Sequence, residues 1–263
     1  MFDGLANINI ELTTRCNKSC WMCKRRVIES KYPELVKEYG DMSFELLEHI
    51  SCQMPLSPIV IQFHNNGEGL LYPRFGEAIK LFPHQITNLV TNGKLLVEKA
   101  GEVIGNLDTL TISVFEDDNE SDEQYAIVSE FLRIKGKNKP FVVVRVNGEV
   151  DVERYRLLGL LIAQRTIHAP KGCSGYKHTP VIPEIGICYD ILRNLSINKD
   201  GKVSPCVRFD PQGLNIIGDV NKDALWTIWN GGERIEWLKL HKEGNRAGVP
   251  LCSTCEFWGV PTQ

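Results

Sequence analysis

The chain lacks any apolar run near the roughly 18 residues that a membrane-spanning helix requires. Its opening residues, Met1 to Asn9, have neither the basic nor the apolar region of a secretory signal. Basic excess is absent too: 30 Lys and Arg against 33 Asp and Glu leave a formal net charge of -3. That balance gives no electrostatic footprint for nucleic acid or an anionic membrane. A small polar or neutral substrate fits better, and the expected location is cytoplasmic. A full set of disulfides is also excluded, because nine cysteines are an odd number, and a reducing compartment favours metal ligation.

What is present starts with Cys16-Asn-Lys-Ser-Cys20-Trp-Met-Cys23, a C-x3-C-x2-C run just after the apolar stretch Asn7 to Leu12. Three thiolates can hold three irons of a cubane cluster and leave the fourth without a protein ligand, the open position that metal catalysis needs. Zinc knuckles usually bring paired C-x2-C or His partners, and a redox pair needs only two cysteines. The spacing therefore favours an open iron-sulfur site over either, or over chance neighbours in a core.

With 263 residues, 43% of them apolar, the chain can bury one large core with a small appended domain. Strand patterns fall at Asn7 to Leu12, Pro58 to His64, Ile86 to Thr91, Thr109 to Val114, Phe141 to Val146 and Arg165 to His168. Helical patterns fall between them, at Ser43 to Cys52, Arg74 to Leu81, Leu95 to Ile104, Asp122 to Ile134 and Val152 to Leu161. Cys52 reads as core packing within its helix. Such alternation implies parallel βα units, and six of them make an α/β partial (β/α)6 TIM-like barrel.

Alternate strand residues share a face, which groups Asn7, Asn9 and Glu11, then Gln62, His64 and Asn66, then Thr109, Thr111 and Ser113. Arg145 and Asn147 do the same on the fifth strand, while the opposite faces are apolar. An eight-fold barrel fills its centre with Val, Ile and Leu. Polar faces turned inward should instead enclose a ligand. Barrel sites are built at the C-terminal ends of strands, where Asn65-Asn66-Gly67-Glu68-Gly69-Leu70, Thr91-Asn92-Gly93 and Ser113 lie. An inward Arg145 needs an anionic ligand or an internal acid such as Glu11 to neutralise it.

Beyond the barrel, residues 169–187 are rich in Gly, Pro and polar side chains and read as a loop over its mouth. Lys171, Cys173, Tyr176 and His178 are the candidates there for substrate contact. Cys188 follows, then a hairpin from Leu195 to Asn198 and Lys202 to Cys206 through Lys199-Asp200-Gly201. Helices are expected at Ala224 to Trp229 and Glu233 to Glu243, ahead of Cys252-Ser-Thr-Cys255. Four thiols so arranged can close around zinc or a complete iron-sulfur cubane, and spacing does not choose between them.

The first cysteine run and its place after strand one resemble the radical S-adenosylmethionine (SAM) superfamily. Cys188, Gly201-x4-Cys206, Ile217-Gly218-Asp219, Ile228-Trp229-Asn230 and Cys252-x2-Cys255 resemble its twitch domain, the shortened SPASM domain. The resemblance covers nearly the whole chain and divides it into a barrel over 1–168, a connecting active-site loop over 169–187 and a twitch domain over 188–263. It implies two 4Fe-4S clusters. Cys16, Cys20 and Cys23 would hold the one whose open iron chelates SAM, which on reduction yields a hydrogen-abstracting 5′-deoxyadenosyl radical. Cys188, Cys206, Cys252 and Cys255 would fully ligate an auxiliary cluster that relays electrons.

For SAM itself the resemblance implies Met22 against adenine, where relatives usually carry an aromatic residue. It implies Glu68 on the ammonium, in a segment resembling Gly-Gly-Glu-Pro in which Asn66 and Gly69 replace the first Gly and the Pro beside Gly67. Asn92 belongs to a Thr-Asn-Gly triplet found in the family, Ser113 would meet the ribose, and Arg145 the SAM carboxylate. Compact twitch enzymes that oxidise a secondary alcohol to a ketone are the nearest functional likeness. The implied reaction removes hydrogen from a sugar or aminocyclitol carbinol, with Lys171 or His168 taking the hydroxyl proton. Its competitors are a radical epimerase with Cys173 as hydrogen donor, a peptide maturase, whose usual N-terminal recognition domain is not expected here, and a non-catalytic electron-transfer protein. A small flavodoxin or ferredoxin would be the reductant.

Overall fold

The computed structural model describes residues 2–165 and 187–255. Strands and helices follow in the order β1 (Asn7–Ile10), α1 (Lys24–Lys31), α2 (Phe44–Ser51), β2 (Val60–Phe63), α3 (Phe75–Lys80), β3 (Ile86–Thr91), α4 (Ala100–Val103), β4 (Thr109–Phe115), α5 (Ser121–Lys135), β5 (Phe141–Asn147), α6 (Glu153–Arg156) and β6 (Leu161–Arg165). After residue 187 come α7 (Tyr189–Arg193), β7 (Asn194–Ile197), β8 (Lys202–Ser204), β9 (Gly218–Asp219), α8 (Leu225–Trp229) and α9 (Gly232–Lys242).

Burial follows the alternation of the strands. Ile61 and Phe63 in β2, Leu110, Ile112 and Val114 in β4, and Val144 and Val146 in β5 are almost wholly buried. They pack with Leu47 and Ile50 of α2, Phe75 and Ile79 of α3, and Val128 and Phe131 of α5 in one core. Each such side chain contributes about 1.5–3 kcal/mol on leaving water. Local signals agree with this packing. Ser43 caps α2 by accepting from Leu46 N at 3.1 Å. Acids open α5, bases close it, and Gly136 at φ 54 ends it.

Among the described residues nine strands form one sheet in the order β6-β5-β4-β3-β2-β1-β7-β8-β9. The first six are parallel and sequential, the arrangement of an open (β/α)6 barrel. The C-terminal hairpin joins their edge, with β7 parallel to β1 in the register Ile8↔Leu195 and Ile10↔Ile197. Gly201, at φ 84, makes its turn.

Four expectations differ from the structure. The sixth strand begins at Leu161 and not at Arg165, its described part being Leu161–Arg165, and the helix before it covers only Glu153–Arg156. Gly159 at φ 74 turns the chain there, so the apolar run after it becomes strand. Of Leu95 to Ile104 only Ala100–Val103 is helical. Cys52 is exposed at the C-terminal cap of α2 and is no part of the core. Among the described residues no helix is long and apolar enough to cross a membrane.

Candidate functional site

The loops that leave the C-terminal ends of β1 to β4 meet over one end of the sheet, and the first cysteine run hangs across all of them. Gly67 makes the closest contact: a Cβ there would lie 2.1 Å from the Thr13 carbonyl oxygen, so only glycine lets the two loops touch. Glu68 N donates to Arg15 O at 2.8 Å. Arg15 forks onto Asp41 at 3.0 and 2.6 Å. Toward β3, Asn92 Nδ2 donates to Asn17 Oδ1 at 2.9 Å. Toward the loop after β4, Trp21 Nε1 donates to Glu116 O at 3.2 Å, and Lys18 Nζ pairs with Asp118 at 2.5 Å and Glu120 at 3.4 Å.

These braces enclose a cavity of about 320 Å³ whose wall includes Cys16, Cys20, Cys23 and Met22. Asn66, Gly67 and Glu68 line it from β2, Asn92 from β3, and Ser113 and Arg145 from β4 and β5. All the described residues assigned above to SAM thus face one space. Arg145 Nη2 donates to Ser113 Oγ at 2.7 Å. Glu68, 2% exposed, accepts from Thr91 Oγ1 at 2.8 Å, Asn92 N at 2.8 Å and Leu70 N at 3.2 Å. Its carboxylate therefore also ties β2 to β3. Glu11 accepts from Asn66 and from Lys199 N. Burial pushes both Glu11 and Glu68 above the usual carboxylate range, against the bonds they accept.

The three thiols of this wall sense one another electrostatically, and burial pushes Cys20 up to about 12. A metal's charge reverses that tendency, because a ligating thiol is deprotonated outright. Three neighbouring sulfurs on the wall of one cavity fit a cluster with one open iron.

The second cysteine set lies at the hairpin and the last described turn. Cys188 caps α7, Cys206 follows β8, and Cys252 opens one turn of 3₁₀ helix that Cys255 caps. Cys252 senses Cys206 and Cys255, Cys206 senses Cys188, and burial pushes Cys188, Cys206 and Cys252 up to about 12. Asn215 Nδ2 donates to Cys206 Sγ at 3.1 Å, and Cys188 N to His241 Nδ1 at 3.4 Å. Four sulfurs with polar support fit a fully ligated cluster. Among the described residues, no three Cys, His, Asp or Glu side chains already stand in the geometry of a formed metal site. Val207, Arg208 and Phe209, directly after Cys206, line the 320 Å³ cavity. One cavity thus adjoins both sets.

His168, Lys171, Cys173, Tyr176 and His178 lie outside the described residues. The sequence reading missed Asn17, Lys18, Asp118, Arg208 and Asn215. Asn17 and Lys18 sit inside the cysteine run, and Arg208 two places after a cysteine, which is the signal available for them. Asp118 and Asn215 carry none.

Residues 188–256 match the SPASM family, an iron-sulfur cluster-binding domain. Over 263 residues the chain is 23% identical to the S-adenosyl-L-methionine-dependent 2-deoxy-scyllo-inosamine dehydrogenase of Niallia circulans, covering 97% of this chain and 94% of that one. Its fold is similar to the crystal structure of BtrN in complex with AdoMet and 2-DOIA, with TM-score 0.65, 18% identity and coverage of 98% and 95% of the two chains. It is also similar to anSMEcpe with bound AdoMet, with TM-score 0.63, 14% identity and coverage of 90% and 83%.

Proposed function

We propose that this protein, which joins the radical SAM fold to a SPASM domain, is an oxidoreductase that converts a secondary alcohol of a small polar substrate to a ketone. The observation that carries the reading is the single cavity bounded by Cys16, Cys20 and Cys23 on one side and by the Val207 to Phe209 segment after Cys206 on the other. A substrate held there lies between the two clusters. When bound, the first cluster and SAM supply hydrogen-atom abstraction, and the second cluster supplies an electron acceptor. The balance is then complete: one hydrogen atom, one proton and one electron leave the carbinol.

The chain's own residues position and shield. Glu68, Asn92, Ser113 and Arg145 are the proposed SAM contacts, with the carboxylate of Glu68 on the ammonium and the Arg145 guanidinium on the carboxylate. Met22 packs against the adenine. Lys171 or His168 takes the hydroxyl proton. The relative from Niallia circulans is named for an aminocyclitol, which supports a sugar or aminocyclitol as the substrate class. A flavodoxin or ferredoxin serves as reductant, and the barrel, loop and twitch boundaries given above define the working units.

The test is anaerobic incubation of the reconstituted, reduced protein with SAM and polyols deuterated at the carbinol carbon. Deuterium should appear in 5′-deoxyadenosine together with a ketone product. Deuterium retained in the product, or an epimer in place of a ketone, sinks the dehydrogenase reading.

A further inference from the structure

Beside the 320 Å³ cavity lies a second one of about 290 Å³, between the loops of β1 and β2 and the C-terminal hairpin. The two share five lining residues, Arg25, Asn65, Asn66, Arg208 and Phe209, and so adjoin. Both signs of charge line this space, and their partners decide what it can bind. Glu11 and Glu68 accept bonds on both oxygens from protein groups. Tyr39 donates to Glu29, Lys199 to Asp200, and two backbone amides to Asp210. Glu38, the sixth acid, stands on the exposed rim. The acids are largely committed to the protein itself.

Among the bases, Lys18 is held by Asp118, Lys199 by Asp200, and Lys202 by Asp219. Arg25 donates to Thr14 O and lies over the Tyr39 ring. Arg25 Nε is also buried without a hydrogen-bond partner, but Arg208, unlike Arg25, has no carbonyl or carboxylate acceptor at all among the described residues. It lines both cavities, yet its Nη2 is buried without a hydrogen-bond partner among the described residues. Beyond the bond from its backbone to the Cys206 thiol, its described interactions are electrostatic, with the Cys206 and Cys252 thiols. A guanidinium nitrogen taken out of water is costly unless an acceptor meets it. Carboxylate and phosphate oxygens match its forked geometry.

We propose that Arg208 is the substrate-recognition residue and that the substrate carries an anionic group, a carboxylate or a phosphate, which this guanidinium receives at the junction of the two cavities. The proposal rests on the oxidoreductase reading for the location of the substrate, and it narrows the substrate class from neutral or amino polyols to acidic ones.

The experiment is calorimetric titration of the reconstituted protein with SAM bound and both clusters oxidised, a state in which nothing turns over. The probes are glucuronate, glucose 6-phosphate, glucose and glucosamine. At least one acidic probe should bind tenfold or more tighter than glucose and glucosamine. Arg208→Gln should abolish that preference and Arg208→Lys should restore part of it. Glucuronate favoured over glucose 6-phosphate assigns a carboxylate, and the reverse a phosphate. Equal affinity for all four, no binding of any, or an unchanged preference in Arg208→Gln overturns the proposal. So does a shifted auxiliary-cluster potential as the sole effect of Arg208→Gln, which would assign the residue to the cluster. SAM cleavage by the reduced protein is scored separately, and its absence would count against the oxidoreductase reading and not against anion recognition.

Discussion

Gly67 lies so close to Thr13 that a Cβ on it would sit 2.1 Å from the Thr13 carbonyl oxygen, with the Arg15 carbonyl oxygen only 2.8 Å away. Backbone cannot yield as a flexible side chain can, so Gly67→Ala must push the Glu68 loop away from the first cysteine run. Overpacking of this kind costs about 1–3 kcal/mol. The expected outcome is lower thermal stability and loss of SAM affinity, with the auxiliary cluster retained. Unchanged SAM affinity in Gly67→Ala would show that the contact between the two loops does not set the cavity.

Lys18 and Asp118 form a pair that is nearly inaccessible, 6% and 5% exposed, across the loops after β1 and β4. Removing one partner of a buried pair typically costs about 3–5 kcal/mol, because the other charge is stranded. Glu120, 3.4 Å from Lys18 and more exposed, softens that loss. Asp118→Asn should therefore destabilise moderately, and Asp118→Asn with Glu120→Gln by more than the sum of the singles. Double-mutant thermal unfolding reads the coupling, and strict additivity would show that Glu120 gives Lys18 no support.

How much of this was legible in the sequence differs from element to element. Strands β3 to β5 could be placed almost to the residue, because β4 alternates polar and apolar positions along its length and β3 and β5 are short runs rich in β-branched residues. Helix α1 could not. Its residues Lys24–Lys31 have no apolar stripe, and their one buried side chain is Arg25, turned toward the cavity. Run 157–162 suited helix or strand equally, and the positive φ at Gly159 decided it. The pairing of β7 with β1 lay beyond reach, since no local pattern links residues 186 positions apart such as Asn9 and Leu195. Among site residues, those near cysteines or strand ends stood out by type and place. Lys18 and Asp118 matter through a partner distant in sequence, and Arg208 through a guanidinium nitrogen with no hydrogen-bond partner among the described residues, and neither property is written locally.

The two cysteine sets should be separable by iron content. Cys20→Ala removes a ligand from the first set alone, and Cys206→Ala from the second alone. Each variant should retain about four of the about eight irons that two cubanes carry. Only Cys206→Ala should still bind SAM to its remaining cluster, seen as a change in that cluster's electron paramagnetic resonance signal. Loss of all iron from either variant would mean that the two centres do not assemble independently.

Asn215 offers a finer probe of the second set. It is 1% exposed, its Nδ2 donates to Cys206 Sγ at 3.1 Å, and its backbone N is fixed by Asp210 at 2.7 Å. Hydrogen bonds to ligating sulfurs help set the reduction potential of an iron-sulfur cluster, because they stabilise the more negative reduced state. Asn215→Leu keeps the volume and removes the donor. A bond worth about 1 kcal/mol corresponds to about 40 mV for a one-electron couple, so the auxiliary potential should fall by roughly that amount. The first cluster, which Asn215 does not touch, should keep its potential and serve as the internal control. Redox titration followed by electron paramagnetic resonance measures both in one sample. A rise in the auxiliary potential, or an equal shift in both clusters, would show that Asn215 acts through the packing around the hairpin and not through its bond to the Cys206 sulfur.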